Sequence, residues 1–404
     1  TTTFVVSREN AIDDLQSCIR FCSSPTFDPW TNVVELDLYR VPIDRRLMEV
    51  MFEFLNSPFA RDPTGESDEE IRWIEVTFHS CDLIAYARTR GAMDLVHNWF
   101  SAMADRTRRL SFDVNHYDLL VDFLNTPNIE HRAVQRLHIW DEEGLTPEEY
   151  ARLCNMIARN HQLIELYLDL RFYEEAPALL FSVENAINME ELTFHESNLP
   201  DNAQSQLITR GIDPLIQLLQ NPQNRLRKLE LIQLGLQDRQ LMAISELLPS
   251  CRIEYFDFSW NLIELAGMME FVRHLPRMQS LKEVRFYSNP WKDSETVCNM
   301  VGHAVLQSVI KTPFLESVDE WTCFPQGPLI CHYLIANIAG RRLLTSVHPV
   351  PDGLWSLLLE RASDETRYTT VAWGGSTAKI SASIARYNAV YFLLQNISMK
   401  LSYA

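Results

Sequence analysis

No apolar run in this 404-residue chain approaches the roughly 20 residues a helix needs to cross a bilayer. Nor do Thr1 to Arg8 hold a basic segment followed by a long apolar one, so a soluble protein is expected. Because the chain starts at Thr1, a leader removed from a longer precursor stays open, and an organelle destination with it. Cations are in deficit: 36 Lys and Arg against 54 Asp and Glu give a formal charge of −18. That balance argues against a phosphate-binding groove for nucleic acid and for a protein partner with a basic or neutral surface. The eight cysteines include no C-x-x-C pair and no dense framework, so reduced thiols in an intracellular compartment, by default the cytoplasm, are expected. Cys18 and Cys22 lie one helical turn apart, but no second pair completes a four-ligand site, so neither metal nor cofactor is expected. The phosphate-loop, dinucleotide, nucleophile-elbow and zinc-protease signatures are absent as well, and no catalytic residue is assigned. The one glycine-dense stretch, Gly374 to Ser376, reads as a turn.

What the chain does have is a globular composition, 46% apolar and 22% charged, and a period. The pattern L-x-x-L-x-L-x-x-N/C-x-L fits Val33, Leu36, Leu38 and Val41, then Trp73, Val76, Phe78 and Cys81, and eight further tracts. The copies at Leu226, Leu229, Leu231, Leu234 and at Ile253, Phe256, Phe258, Asn261 are the clearest, and one at Leu315, Val318 and Cys323 is degraded. The fourth positions fall at 36, 76, 110, 137, 166, 192, 229, 256, 284 and 318, with the short steps near 28 residues. A repeat of that length holds a short strand, a turn and a helix of about three turns. Thr146, Pro147 and Glu149 read as the start of one such helix, and Asp293 as the cap of another. Inward side chains stack on those of adjacent repeats, so stability is shared along the array.

These tracts resemble the leucine-rich-repeat family, and their length is similar to that of its ribonuclease-inhibitor-like branch. The resemblance spans residues 33–325 and implies an α/β solenoid: a horseshoe with a parallel sheet on the concave side and helices on the convex side. It implies binding through the concave surface and names no ligand. The ninth repeat position departs from the family's Asn or Cys at Val41, Glu142, Arg171, Ser197 and Leu234, so an irregular ladder of turn hydrogen bonds is expected.

Residues 1–32, with one helix over 10–21, are expected to cap the array at its start. Residues 326–404, with helices over 329–338, 354–362 and 380–397, are expected to cap its end. Two steps of the array are long enough to carry inserts, over 58–70 and 200–211, each a second place where specificity can reside.

The third, fifth and seventh positions of each repeat alternate with the inward ones and should face the hollow. They hold eleven acidic residues against four basic ones, together with Tyr39, Trp140, Tyr167, Tyr255, Tyr287 and Trp321. Tyr255, Asp257, Trp260, Arg285, Tyr287 and Trp321 concentrate on three successive strands, and with Trp140 and Tyr167 they are the expected partner-binding residues. His79 and His195 occupy equivalent positions four repeats apart and are too distant to share a proton. The function expected is a non-catalytic binding scaffold, adaptor or assembly subunit. The alternative is an inhibitor or regulator of one enzyme whose active-site rim is basic.

Overall fold

In a computed structural model of the chain, the residues described are 2–6, 10–22, 34–39, 46–47, 49–50, 53, 74–79, 107–112, 136–141, 146–161, 163–172, 176–184, 188–200, 203–319, 321–344, 354–364 and 382–401. They belong to two units. The first comprises residues 1–199, 205–218 and 223–225, and the second residues 200–204, 219–222 and 226–404. The expected insert at 58–70 lies outside the described residues, as do Cys81 and Gly374 to Ser376.

The first unit carries parallel strands β1 (Thr2–Val6), β2 (Val34–Tyr39), β3 (Ile74–His79), β4 (Thr107–Phe112), β5 (Arg136–Asp141), β6 (Glu165–Leu170) and β7 (Glu191–His195), adjacent in chain order. The repeat positions read from the sequence lie opposite one another: Leu36 against Val76, then Leu110, Leu137, Leu166 and Leu192. Parallel neighbours require a crossover, and α2 (Pro147–Arg159) and α3 (Ala176–Glu184) supply two of them. Helix α2 starts where expected, with Pro147 in its first position and the Thr146 carbonyl accepting from the Tyr150 amide at 2.9 Å. Tyr150, Leu153, Met156 and Ile157, at helical spacing, are its buried face.

Two findings differ from the sequence reading. Strand β1 precedes helix α1 (Ala11–Cys22), so the first residues add a strand to the sheet, with Phe4 opposite Leu36. The alternation of Thr2, Phe4 and Val6 carries that strand without any leucine pattern. The expected insert over 200–211 is cut short, because α4 (Gln206–Gln220) begins within it and Ser205, Leu207 and Ile208 are already buried.

The second unit repeats strand and helix: β8 (Lys228–Ile232), α5 (Asp238–Leu247), β9 (Tyr255–Asp257), α6 (Leu265–His274), β10 (Glu283–Arg285), α7 (Glu295–Lys311) and β11 (Ser317–Val318). Leu229, Phe256, Val284 and Val318 stand in register, all buried. Phe256, Phe258, Phe271 and Phe286 form the centre of the core, with ring centroids 5.0–5.9 Å apart. The cap of α7 is Ser294, whose hydroxyl accepts from the Val297 amide, and not Asp293, which closes a short 3-10 turn, Pro290–Asp293.

The turns after these strands are where the ninth repeat position acts. Asn261 Oδ1 accepts from the Leu234 and Leu236 amides at 3.0 and 2.9 Å, while its Nδ2 donates to the carbonyls of Leu231 and Phe258 at 2.6 and 2.9 Å. Asn289 repeats the arrangement one strand on, accepting from Ile263 and donating to Phe258 and Phe286. A carboxamide is required because each position needs an acceptor and a donor in one buried group. Cys323, at the same repeat position, is exposed, whereas Asn261 and Asn289 are buried. The turns also place Gln233, Trp260 and Ser288, all at the eighth repeat position, in the left-handed region at φ 52°, 59° and 53°. At Gly235, φ is +68° and a side chain would run into the Ala203 carbonyl, so glycine is needed there.

Beyond β11 come α8 (Gly327–Ile338), α9 (Arg341–Leu344), α10 (Leu354–Ser363) and α11 (Ala382–Leu401), close to the expected helices. Arg341 joins them to the repeats. Its buried guanidinium donates to the Val309 and Ile310 carbonyls at the end of α7 and to Asn337 Oδ1. A helix C-terminus leaves its last carbonyls without α-helical partners, and here the Val309 carbonyl also accepts from the Thr312 amide at 3.2 Å.

Candidate partner-binding face

Opposite the helices, the sheet of the second unit presents side chains from the third, fifth and seventh repeat positions. Tyr255 is half-buried at the centre. Lys228 from β8 lies 5.4 Å from its ring centroid and the Arg285 guanidinium from β10 lies 5.2 Å away. Each cation also holds a carboxylate, Lys228 with Glu230 at 3.0 Å and Arg285 with Glu283 at 2.8 Å. Asp257, next to the ring, accepts from the Ser259 amide at 2.8 Å and faces the Tyr255 hydroxyl at 3.3 Å. Burial raises the Asp257 carboxyl above its ordinary range, the Ser259 hydrogen bonds offset part of this, and the Glu230 charge adds to it. The Tyr255 hydroxyl is likewise pushed upward, by burial first and then by the charges of Asp257 and Glu230.

This geometry corrects one expectation. Asp257, at a fifth position, is only 5% exposed, and Glu230 and His138 at the same position are buried too. Strands stand about 4.8 Å apart, so long side chains from adjacent third and seventh positions close over the middle one. Asp257 therefore forms the floor of the face.

The surface that remains open is aromatic. Trp260 is 54% exposed and Tyr287 43%. Their rings meet edge to face, centroids 5.3 Å apart, and Lys292 Nζ sits 4.4 Å from the centroid of Tyr287. The backbone fixes both residues: the Trp260 amide donates to the Tyr287 carbonyl at 2.7 Å, and the Tyr287 amide donates to Ser259 Oγ at 3.0 Å and Asp319 Oδ2 at 3.1 Å. A bulky side chain at positive φ costs roughly 1–2 kcal/mol relative to an ordinary conformation. Trp260 is held there with most of its ring outside the core.

Trp321 is the second correction. It is 6% exposed and lies in a 3-10 turn, Trp321–Cys323, against the start of α8 beside Gly327. Strand β11 is two residues long and ends before Trp321, so the alternation that would turn the ring to the open face has stopped.

In the first unit, Tyr167 is half-buried with its ring 5.5 Å from that of His138, and Trp140 lies on β5 with its side chain outside the described residues. Two ion pairs flank Tyr167 along its own strand. Glu165 holds Arg136 at 3.2 Å together with His138, and Asp169 holds His195 at 3.0 Å. Burial alone would raise the Asp169 carboxyl, but the hydrogen bond and charge of His195 and the bonds from Ser197 outweigh it and hold it below its ordinary value. These carboxylate–histidine pairs were not read from the sequence, although the register that brings 138 beside 165 and 169 beside 195 follows from the repeat alignment. Among the described residues no group of three or more His, Cys, Asp or Glu side chains is arranged to hold a metal ion, and no helix is long and apolar enough to cross a membrane. No family model matches the chain, and no curated protein matches it.

Proposed function

We propose that the chain is a leucine-rich-repeat solenoid of ribonuclease-inhibitor-like repeat length and that it serves as a non-catalytic protein-binding scaffold, adaptor or assembly subunit. The in-register apolar positions, the asparagine ladder and the recurring left-handed eighth residue support the first part. One observation carries the second: Trp260, exposed and at φ 59°, packs edge-on against exposed Tyr287 on the open face of the sheet. Core packing does not need a ring there, whereas exposed Trp and Tyr are frequent anchors at protein interfaces. Tyr255 and Arg285 form the rim of this site and Asp257 its floor.

The partner is a protein with a basic or neutral surface, in keeping with the net charge of −18. The alternative, an inhibitor gripping a basic active-site rim, draws less support from the open face itself. In the second unit Glu230 and Glu283 are already paired with Lys228 and Arg285, and in the first unit, taken by itself, Glu165 and Asp169 are paired with Arg136 and His195.

The test is capture of a partner by the full chain, followed by calorimetry with Tyr287→Ala and Trp260→Ala. Each substitution should weaken binding by more than ~1 kcal/mol. Unchanged affinity in both variants would exclude this patch as the anchor.

A further inference from the structure

Three aromatic rings on the open face of the second unit differ in what stands over them. Tyr255 lies between Lys228 and the Arg285 guanidinium, and Tyr287 carries Lys292. Trp260 is the most exposed of the three, and an indole is the strongest of the aromatic faces for a cation. Yet among the described residues no Lys or Arg stands over it, and its ring contact is with Tyr287.

Charge at this edge of the unit has the matching sign. Trp260 and Tyr287 follow their strands, at the edge where α5, α6 and α7 begin. Asp238 opens α5, Glu264 precedes α6, Glu295 opens α7 and Asp319 follows β11; against these four carboxylates stand Arg239 and Lys292. Glu264 and Glu295 are exposed. The opposite edge, where the helices end, carries Arg252, Arg277 and Lys311, all exposed. A basic group approaching the sheet is therefore drawn to the aromatic edge and turned away from the other. We propose that the partner's contact at this site is an arginine side chain laid on the ring of Trp260. A planar, weakly hydrated guanidinium stacks on an indole more readily than an ammonium does. An acidic group would be repelled by the carboxylates, and an apolar one would make no use of them. The assignment rests on the reading of Trp260 and Tyr287 as anchors and adds the chemistry of the group they receive.

Fluorine NMR of the full chain labelled with fluorotryptophan reads the contact directly, with the Trp260 signal identified by its loss in Trp260→Phe. The probe is the peptide Gly-Arg-Gly, blocked at both ends, set against the same peptide with citrulline, which keeps the shape and lacks the charge. At millimolar concentrations the arginine peptide should shift the Trp260 signal and bind at least about fivefold tighter than the citrulline peptide. Lys292→Gln leaves Trp260 in place and removes a neighbouring positive charge, so it should tighten the arginine peptide about twofold. An equal response to both peptides, or a Trp260 signal that neither moves, would overturn the assignment. Calorimetry with the captured partner separates this failure from that of the anchors. Affinity that falls with Trp260→Ala while the peptides leave the signal unmoved keeps the anchors and removes the arginine. Affinity indifferent to Trp260→Ala removes both.

Discussion

Trp260 separates function from stability at the scale of a single residue. Its φ of 59° suits Asn or Gly, so Trp260→Asn relieves backbone strain while giving up an edge contact worth about 0.5–1.5 kcal/mol. Thermal unfolding of Trp260→Asn should lie within about 1 kcal/mol of the parent chain, although its partner affinity falls. By contrast, Phe258→Ala in the core should cost about 3–5 kcal/mol. A Trp260→Asn chain that unfolds as readily as Phe258→Ala would mean that the ring serves the core after all.

Glu196 makes a pH prediction at the same scale. Its side chain is buried, Oε2 has no hydrogen-bond partner, and burial raises its carboxyl despite hydrogen bonds from Ser205 and Phe172. A carboxyl raised in the folded state contributes most below its unfolded value of about 4.3, and that contribution is lost as pH rises through the folded value. Glu196→Gln should therefore stabilise the chain at pH 8 by on the order of 1 kcal/mol and change little at pH 4, as read from urea midpoints. An equal effect at both pH values would show that charge is not the cause.

Among the elements, the asparagine turns carry the clearest energetic claim. Asn261→Ala removes the side-chain partner of two buried amides, Leu234 and Leu236, and of the Leu231 carbonyl, while the Phe258 carbonyl keeps its bond from Asn289, at about 1–3 kcal/mol for each buried group left without a partner. The loss should exceed that of a typical surface substitution several-fold, and Asn261→Asp should not rescue it, because a carboxylate cannot donate. Denaturant titration of the two variants checks both statements.

The turns also mark how far the sequence could be read. Apolar spacing set the register correctly from β2 to β7 and from β8 to β11, since a one-residue slip would have turned each inward apolar residue to the open face. Strand β1 escaped because it pairs through Thr2, Phe4 and Val6 and has no leucine ladder. Trp321 was misplaced because the alternation was extended beyond a strand that ends at Val318. Asp257 and Glu230 were assigned to the surface because spacing gives the side of a sheet a residue lies on, not what neighbouring side chains cover. The aromatic pair was legible as residues, but the left-handed backbone at Trp260 was not, since nothing in the spacing of apolar residues reports φ.

At the scale of the whole molecule, the net charge of −18 draws a basic partner, so added salt should slow its association with the sheet face. A neutral partner held by apolar burial should respond little, and association rates at low and high ionic strength distinguish the two.

The central claim is that the open face of the sheet, anchored by Trp260 and Tyr287, is where a protein partner sits. Hydrogen–deuterium exchange of the chain with and without its captured partner tests it directly. Protection is expected over 255–260 and 285–288, with the outer surfaces of α5, α6 and α7 unchanged. Protection confined to those helices, with 255–260 and 285–288 exchanging as in the free chain, would contradict it.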